Sequence, residues 1–170
     1  MTLEEKVHQL ATQYPNANMR LEIPNLSANE CLHRIKMNHA IVFPQAIAMV
    51  STWDENLIER MGHIGAEESR AYGIHQCYTP MLAVVRDVCW GYTEESYGED
   101  SYLVGKIGAA YIKGLQGKGT ECFDENHIIV TAKHYVADTI SVDGKTAVSV
   151  SVKNTGDFRK KRLFNYMFAI

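Results

Sequence analysis

Lys133 and His134 stand side by side at the end of one apolar run. Carboxylates recur near the ends of the others: Glu30, Asp87, Glu94, Glu95, Glu99, Asp100 and Asp138. A carboxylate accepts hydrogen bonds from hydroxyl groups, whereas a lysine ammonium and an imidazole N–H donate them. Carboxyl groups acting together can also serve as general acid, general base or nucleophile. Plainer readings stand beside these. Glu94, Glu95, Glu99 and Asp100 read most simply as a solvated acidic loop running into a helix N-terminus, where acids favour the dipole. His134 by itself reads as a hydrogen-bonded histidine at a strand end. The seven histidines are scattered without an HxxxH pair. The four cysteines, Cys31, Cys77, Cys89 and Cys122, form no CxxC pair and no zinc-ligand spacing. The sequence therefore predicts no metal site and no cofactor, and four free thiols as kept in a reducing compartment.

The elements that must position these groups are signalled locally. Thr2 with Glu5 has capping-box spacing, and Leu3, Val7, Leu10 and Ala11 then share a helical face. Ala40 to Pro44 is short, apolar and closed by proline, which predicts a buried strand. A second capping box, Thr52 with Glu55, opens a long helix through Leu57, Ile58, Met61 and Ile64, with Gly73 placed as its C-cap glycine. Cys77 to Val85 predicts a strand, Ser101 to Leu115 a helix ended by Gly117 and Gly119, and Ile128 to Ala132 a third strand. Strands alternating with helices imply βα units and a mainly parallel sheet, in which chemistry gathers at the strands' carboxyl ends. The tail differs: Val148, Val150 and Val152 alternate with Ser149 and Ser151, Asn154 to Asp157 is a turn signal, and Leu163 to Ile170 could pair back. A composition break therefore falls near Ser141 to Thr146.

The chain of 170 residues is long enough for one domain with a real core. A net charge of −3 provides no basic footprint for nucleic acid and no polybasic membrane patch. No apolar run reaches membrane-span length, and the polar, acidic start MTLEEKVHQL is not a signal peptide, so a cytoplasmic location is expected.

Several blocks, taken in order, resemble glycoside hydrolase family 3, the β-glucosidase and β-xylosidase type. Arg20 to Pro24 is similar to that family's R-L-G-I-P, Asn29 to His33 to N-E-A-L-H, Val42 to Ala46 to V-F-P-Q-A, and Thr52 to Asp54 to T-W-D. Arg86 to Gly105 resembles R-D-P-R-W-G-R-T-E-E-S-Y-G-E-D-P-Y-L-V-G, and Thr131 to Tyr135 resembles T-A-K-H-F. Val150 to Gly156 is similar to V-x-V-K-N-T-G of the fibronectin-like domain that ends many members.

The resemblance implies a partial family 3 barrel-type domain over 1–140 and a remnant of the fibronectin-like domain over 141–170. A closed eight-stranded barrel takes about 200 residues or more, so roughly half its strands are expected. The fold class expected is α/β: a partial barrel-like parallel sheet with flanking helices and a short C-terminal hairpin-like tail. The implied ligand is a small-molecule or oligosaccharide β-glycoside, bound by Glu30, Asp87, Lys133 and His134. For Lys133 and His134 to face one site, the backbone there must bulge or take an unusual peptide geometry. The family's nucleophile and acid/base positions have no counterpart here, which leaves Glu30, Asp87, Glu95 and Glu99 as candidate catalytic carboxylates. Cys89 and Tyr92 replace two arginines of the family's R-W-G-R. Two functions follow: a truncated β-glycosidase, or a non-catalytic sugar-binding or structural fragment. Unpaired sheet edges predict a homo-oligomer.

Overall fold

The computed structural model describes residues 2–8, 19–22, 26–118, 124–134, 140–142 and 145–147. Helix α1, Leu3–His8, opens on the expected capping box. Thr2 N donates to Glu5 Oε2 at 2.6 Å, and Glu5 N donates to Thr2 Oγ1 at 3.1 Å. Leu10 and Ala11, assigned to the same helical face, lie outside the described residues.

Strand β1, Ala28–Asn29, lies where no strand was expected. The predicted strand Ala40 to Pro44 is corrected: these residues form none, and Ile41 and Val42 are exposed. Their amides go elsewhere, Ile41 N to Glu68 Oε1 at 2.9 Å and Phe43 N to His33 O at 2.9 Å. With Ile41 N and Phe43 N bonded to Glu68 and His33, no ladder forms along this run, and it is β1 that pairs with β2.

Helix α2, Ala46–Val50, buries Ala46, Met49 and Val50. Helix α3, Glu55–Ala71, starts two residues later than the predicted box places it. Asp54 is its N-cap and accepts from Leu57 N at 3.0 Å, while Thr52 Oγ1 bonds Met49 O and Asp54 N in the preceding turn. An aspartate at the N-cap meets the free amides directly, so it outcompetes the threonine two residues earlier. The C-terminus follows expectation. Gly73, at φ 72°, donates to Arg70 O, and Ile74 N donates to Ser69 O, the paired bonds of a Schellman turn.

Strands β2, Gln76–Cys77, and β3, Ile129–Val130, complete a parallel sheet in the order β1-β2-β3. Ala28 pairs with Gln76 and Gln76 with Ile129. The single strand predicted over Cys77 to Val85 is shorter than expected. Beyond Cys77, among the described residues, the pairing thins to Tyr78 N→Asn29 O and a parallel bridge from Met81 to Lys133, because Pro80 has no N–H to donate and Val85 N turns to Gly98 O. Helix α4, Ser101–Gln116, is capped by Asp100, which accepts from Leu103 N at 2.8 Å. It packs along α3 over a core that includes Ile35, Met49, Ile58, Ile107, Leu115 and Ile128. The two backbones touch where Gly62 and Gly114 face each other: a Cβ on Gly62 would lie 2.6 Å from Tyr111 O.

The expectation of four free thiols is corrected for Cys31 and Cys77, which form a disulfide with Cα atoms 5.5 Å apart. Asn29 pairs with Cys77 across β1 and β2, so Cys31, two residues further on, comes within disulfide reach. The pair is 46 residues apart in sequence, and only strand register makes it visible. Cys89 is a free, exposed thiol. Strands β4, Ile140–Val142, and β5, Lys145–Ala147, form a separate antiparallel hairpin at the expected composition break. The valine alternation, the turn at Asn154 to Asp157 and Leu163 to Ile170 lie outside the described residues.

Candidate functional site

The ends of β1 and β3 put one acid and one base in contact. Glu30 follows β1 directly, and Lys133 lies three residues beyond β3, held by Lys133 N→Pro80 O at 2.9 Å and Leu82 N→Lys133 O at 2.8 Å. Lys133 Nζ donates to Glu30 Oε2 at 2.7 Å, with both side chains partly buried. The Lys133–His134 peptide is cis, the unusual geometry that the adjacent pair required, and both side chains line one cavity.

That cavity has a volume of about 490 Å³ and is mainly polar. Its walls come from three segments: Glu30 to Lys36 with Gln45, Tyr92 with Glu95, and Lys133 with His134. The segment after β1 is fixed on both sides. His33 Nδ1–H donates to Phe43 O at 2.8 Å, Phe43 N returns a bond to His33 O, and Lys36 N donates to Asn29 Oδ1 at 3.2 Å. Buried Tyr111 donates its hydroxyl to Cys31 O at 2.9 Å, which anchors the residue next to Glu30 to α4. Glu95 closes the 3₁₀ turn Thr93–Glu95, seated by buried Ser96, whose Oγ donates to Ala83 O at 2.6 Å. Tyr92 leans on Trp90, ring centroids 5.8 Å apart.

Of the site residues predicted from sequence, Glu30, Glu95, Lys133 and His134 share this cavity. Asp87, Glu94, Glu99 and Asp100 lie outside its lining: Asp87 accepts from Cys89 N in its own loop, and Asp100 caps α4. Asp138 lies outside the described residues. His33, Arg34, Lys36 and Gln45 line the cavity without having been singled out for it. The available signal was sequence proximity: His33 and Gln45 stand in the blocks that contain Glu30 and Pro44, and Arg34 and Lys36 directly follow the first of them, where a loop pinned beside one functional residue carries its neighbours to the same place.

Parallel strands flanked by helices, with a polar cavity at the strands' carboxyl ends, define part of a (β/α) barrel-type domain. Residues 2–170 match the glycosyl hydrolase family 3 N terminal domain, and the chain belongs to that family. It is 48% identical over 142 residues to a β-xylosidase of Formosa agariphila, covering 80% of this chain and 20% of that protein. It is 31% identical to a periplasmic β-glucosidase of Salmonella typhimurium, covering 86% of this chain and 18% of that one. Among solved structures it resembles a β-glucosidase involved in saponin metabolism from intestinal bacteria, with a TM-score of 0.72, 32% identity, and coverage of 84% of this chain and 19% of that one. The exo-1,3/1,4-β-glucanase of a Pseudoalteromonas species gives a TM-score of 0.70 and 36% identity, over 73% of this chain and 16% of that one. The chain thus spans about a fifth of the length of the curated relatives it matches. Among the described residues, no helix is long and apolar enough to cross a membrane.

Proposed function

We propose that this chain supplies the hydroxyl-gripping part of a β-glycosidase site for β-glucosides or related short β-linked sugars such as β-xylosides. The observation that carries the reading is the 2.7 Å contact between Glu30 and Lys133 on the wall of a polar cavity that His134 also lines. The remaining lone pairs of Glu30 and N–H groups of Lys133 suit sugar hydroxyls, which both donate and accept. The names of the β-xylosidase and β-glucosidase relatives point the same way. Retaining hydrolysis needs two carboxyl groups about 5–5.5 Å apart. Glu30 and Glu95 are the carboxylates of the described lining, and Lys133 engages Glu30, so Glu95 is the candidate for proton transfer. The same engagement favours a second reading, in which the chain binds sugar without hydrolysing it.

Both readings are tested on pure protein by aryl β-glucoside and β-xyloside hydrolysis together with ligand-observed NMR binding. Glu30→Ala and Lys133→Ala are expected to weaken sugar binding by about tenfold to a hundredfold, as loss of a hydrogen bond to a charged group does. Glu95→Ala is expected to abolish any hydrolysis while sugar remains bound. Binding that is equal in all variants would refute the site.

The proposal keeps the division of the chain into a partial barrel domain over 1–140 and a fibronectin-like remnant over 141–170. It is supported by the antiparallel hairpin β4–β5, which stands apart from the parallel sheet. It also includes self-association without nucleic acid or membrane partners. Strands β1 and β3 have open edges among the described residues, and Ile41 and Val42 are exposed nearby in sequence. A symmetric dimer is expected by light scattering at micromolar concentration; a monomer there removes this part of the proposal.

A further inference from the structure

The charges in the cavity do not cancel. Glu30 takes up Lys133, which leaves Arg34 and Lys36 against the single carboxylate of Glu95. Neither the Arg34 guanidinium nor the Lys36 ammonium has an acidic partner among the described residues. An excess of cations in this cavity runs against the chain's net charge of −3. The two side chains also share a fixed base. Ile35 between them is 1% exposed, Lys36 N is held by Asn29 Oδ1, His33 is bonded to Phe43 in both directions, and Cys31 is bridged to Cys77. Cations on a backbone held in place lose less freedom when they bind than cations on a loose loop do.

Building on the β-glycoside reading above, we infer that the ligand is an acidic β-glycoside, a sugar bearing a carboxylate or a sulfate ester, whose anionic group is taken by Arg34 and Lys36. The planar guanidinium presents paired N–H donors that match the oxygens of either anion, and the ammonium adds a compact charge beside it. Glu30 and Lys133 then hold hydroxyls of the same sugar. A neutral sugar leaves both cations facing water. Because both side chains are exposed, the discrimination expected is moderate and sensitive to salt.

The test is a binding titration of the full chain with methyl β-glucopyranoside, its uronate and its 6-sulfate, at salt of about 0.01 M and about 1 M. At low salt at least one acidic sugar is expected to bind about five- to tenfold more tightly than the neutral one, and the one preferred identifies the anion. The ratio should shrink at high salt and fall to near one in the Arg34→Gln/Lys36→Gln double variant, whose folding is checked by circular dichroism. A ratio near one in the wild-type chain, or one that survives the double substitution, overturns the inference and leaves the β-glycoside site standing. If none of the three sugars binds, the site reading fails and the inference fails with it.

Discussion

Gly114→Ala is expected to destabilise the chain by about 1–3 kcal/mol, a drop of several degrees in melting temperature. The added Cβ would overlap the Glu59 carbonyl oxygen and lie 2.9 Å from His63 N and 3.0 Å from the Glu59 carbonyl carbon. All three atoms belong to the backbone of α3, so no side chain can swing aside, and the helices must separate. Gly62 occupies the reciprocal position, 3.2 Å in the same sense from Gly114 Cα, so the crossing has no slack from either side. Gly105→Ala is the control. It lies in the same helix with nothing within 4 Å of its added Cβ, and it should stabilise the chain by up to about 1 kcal/mol through helix propensity. Thermal melts of the two variants should therefore move in opposite directions. Equal shifts would mean that helix propensity, and not the crossing, governs both positions.

The second large effect is alkaline. Burial holds the phenol pKa of Tyr97 and of Tyr111 above the ordinary tyrosine value of 10, and the neighbouring Tyr111 raises that of Tyr97 further. A group whose folded-state pKa is raised contributes stability that is fully present below its unfolded value and lost as pH climbs toward the folded value. The loss therefore begins near pH 10 and continues above it, at about 1.4 kcal/mol per pH unit for each phenol. Tyr111→Phe should remove one phenol's share of that slope. At neutral pH the same change should cost about 1–3 kcal/mol, because Cys31 O loses the hydroxyl that donates to it at 2.9 Å. Urea unfolding at neutral pH and at two values above 10 measures both quantities. An unchanged alkaline slope would show that Tyr111 does not govern the transition.

How much of this was legible in advance varies with how local the cause is. The Thr2–Glu5 capping box and the Gly73 terminator act within a few residues, and both formed as expected. The start of α3 was displaced because Asp54 and Thr52 compete for the same amides, and one geometry settles which side chain reaches Leu57 N. The parallel α/β class was readable from alternating strand and helix patterns. Which segment fills the edge was not, since Ala40 to Pro44 has the better strand composition and Ala28–Asn29 pairs with β2 instead.

The candidate site divides along the same line. The residue types at Glu30, Lys133 and His134, and the motif blocks around them, were set by the sequence alone and carried the family assignment that the domain match established. Their contact was decided only in three dimensions: Glu30 and Lys133 are 103 residues apart, and it is the parallel register of β1, β2 and β3 that closes that gap to 2.7 Å. The Cys31–Cys77 bridge, the Gly62–Gly114 crossing and the gathering of Arg34 and Lys36 into the cavity have the same origin. Capping and periodicity depend on neighbours a turn away. A disulfide, a backbone crossing and a cavity wall depend on which distant segments are stacked together, and no spacing along the chain encodes that.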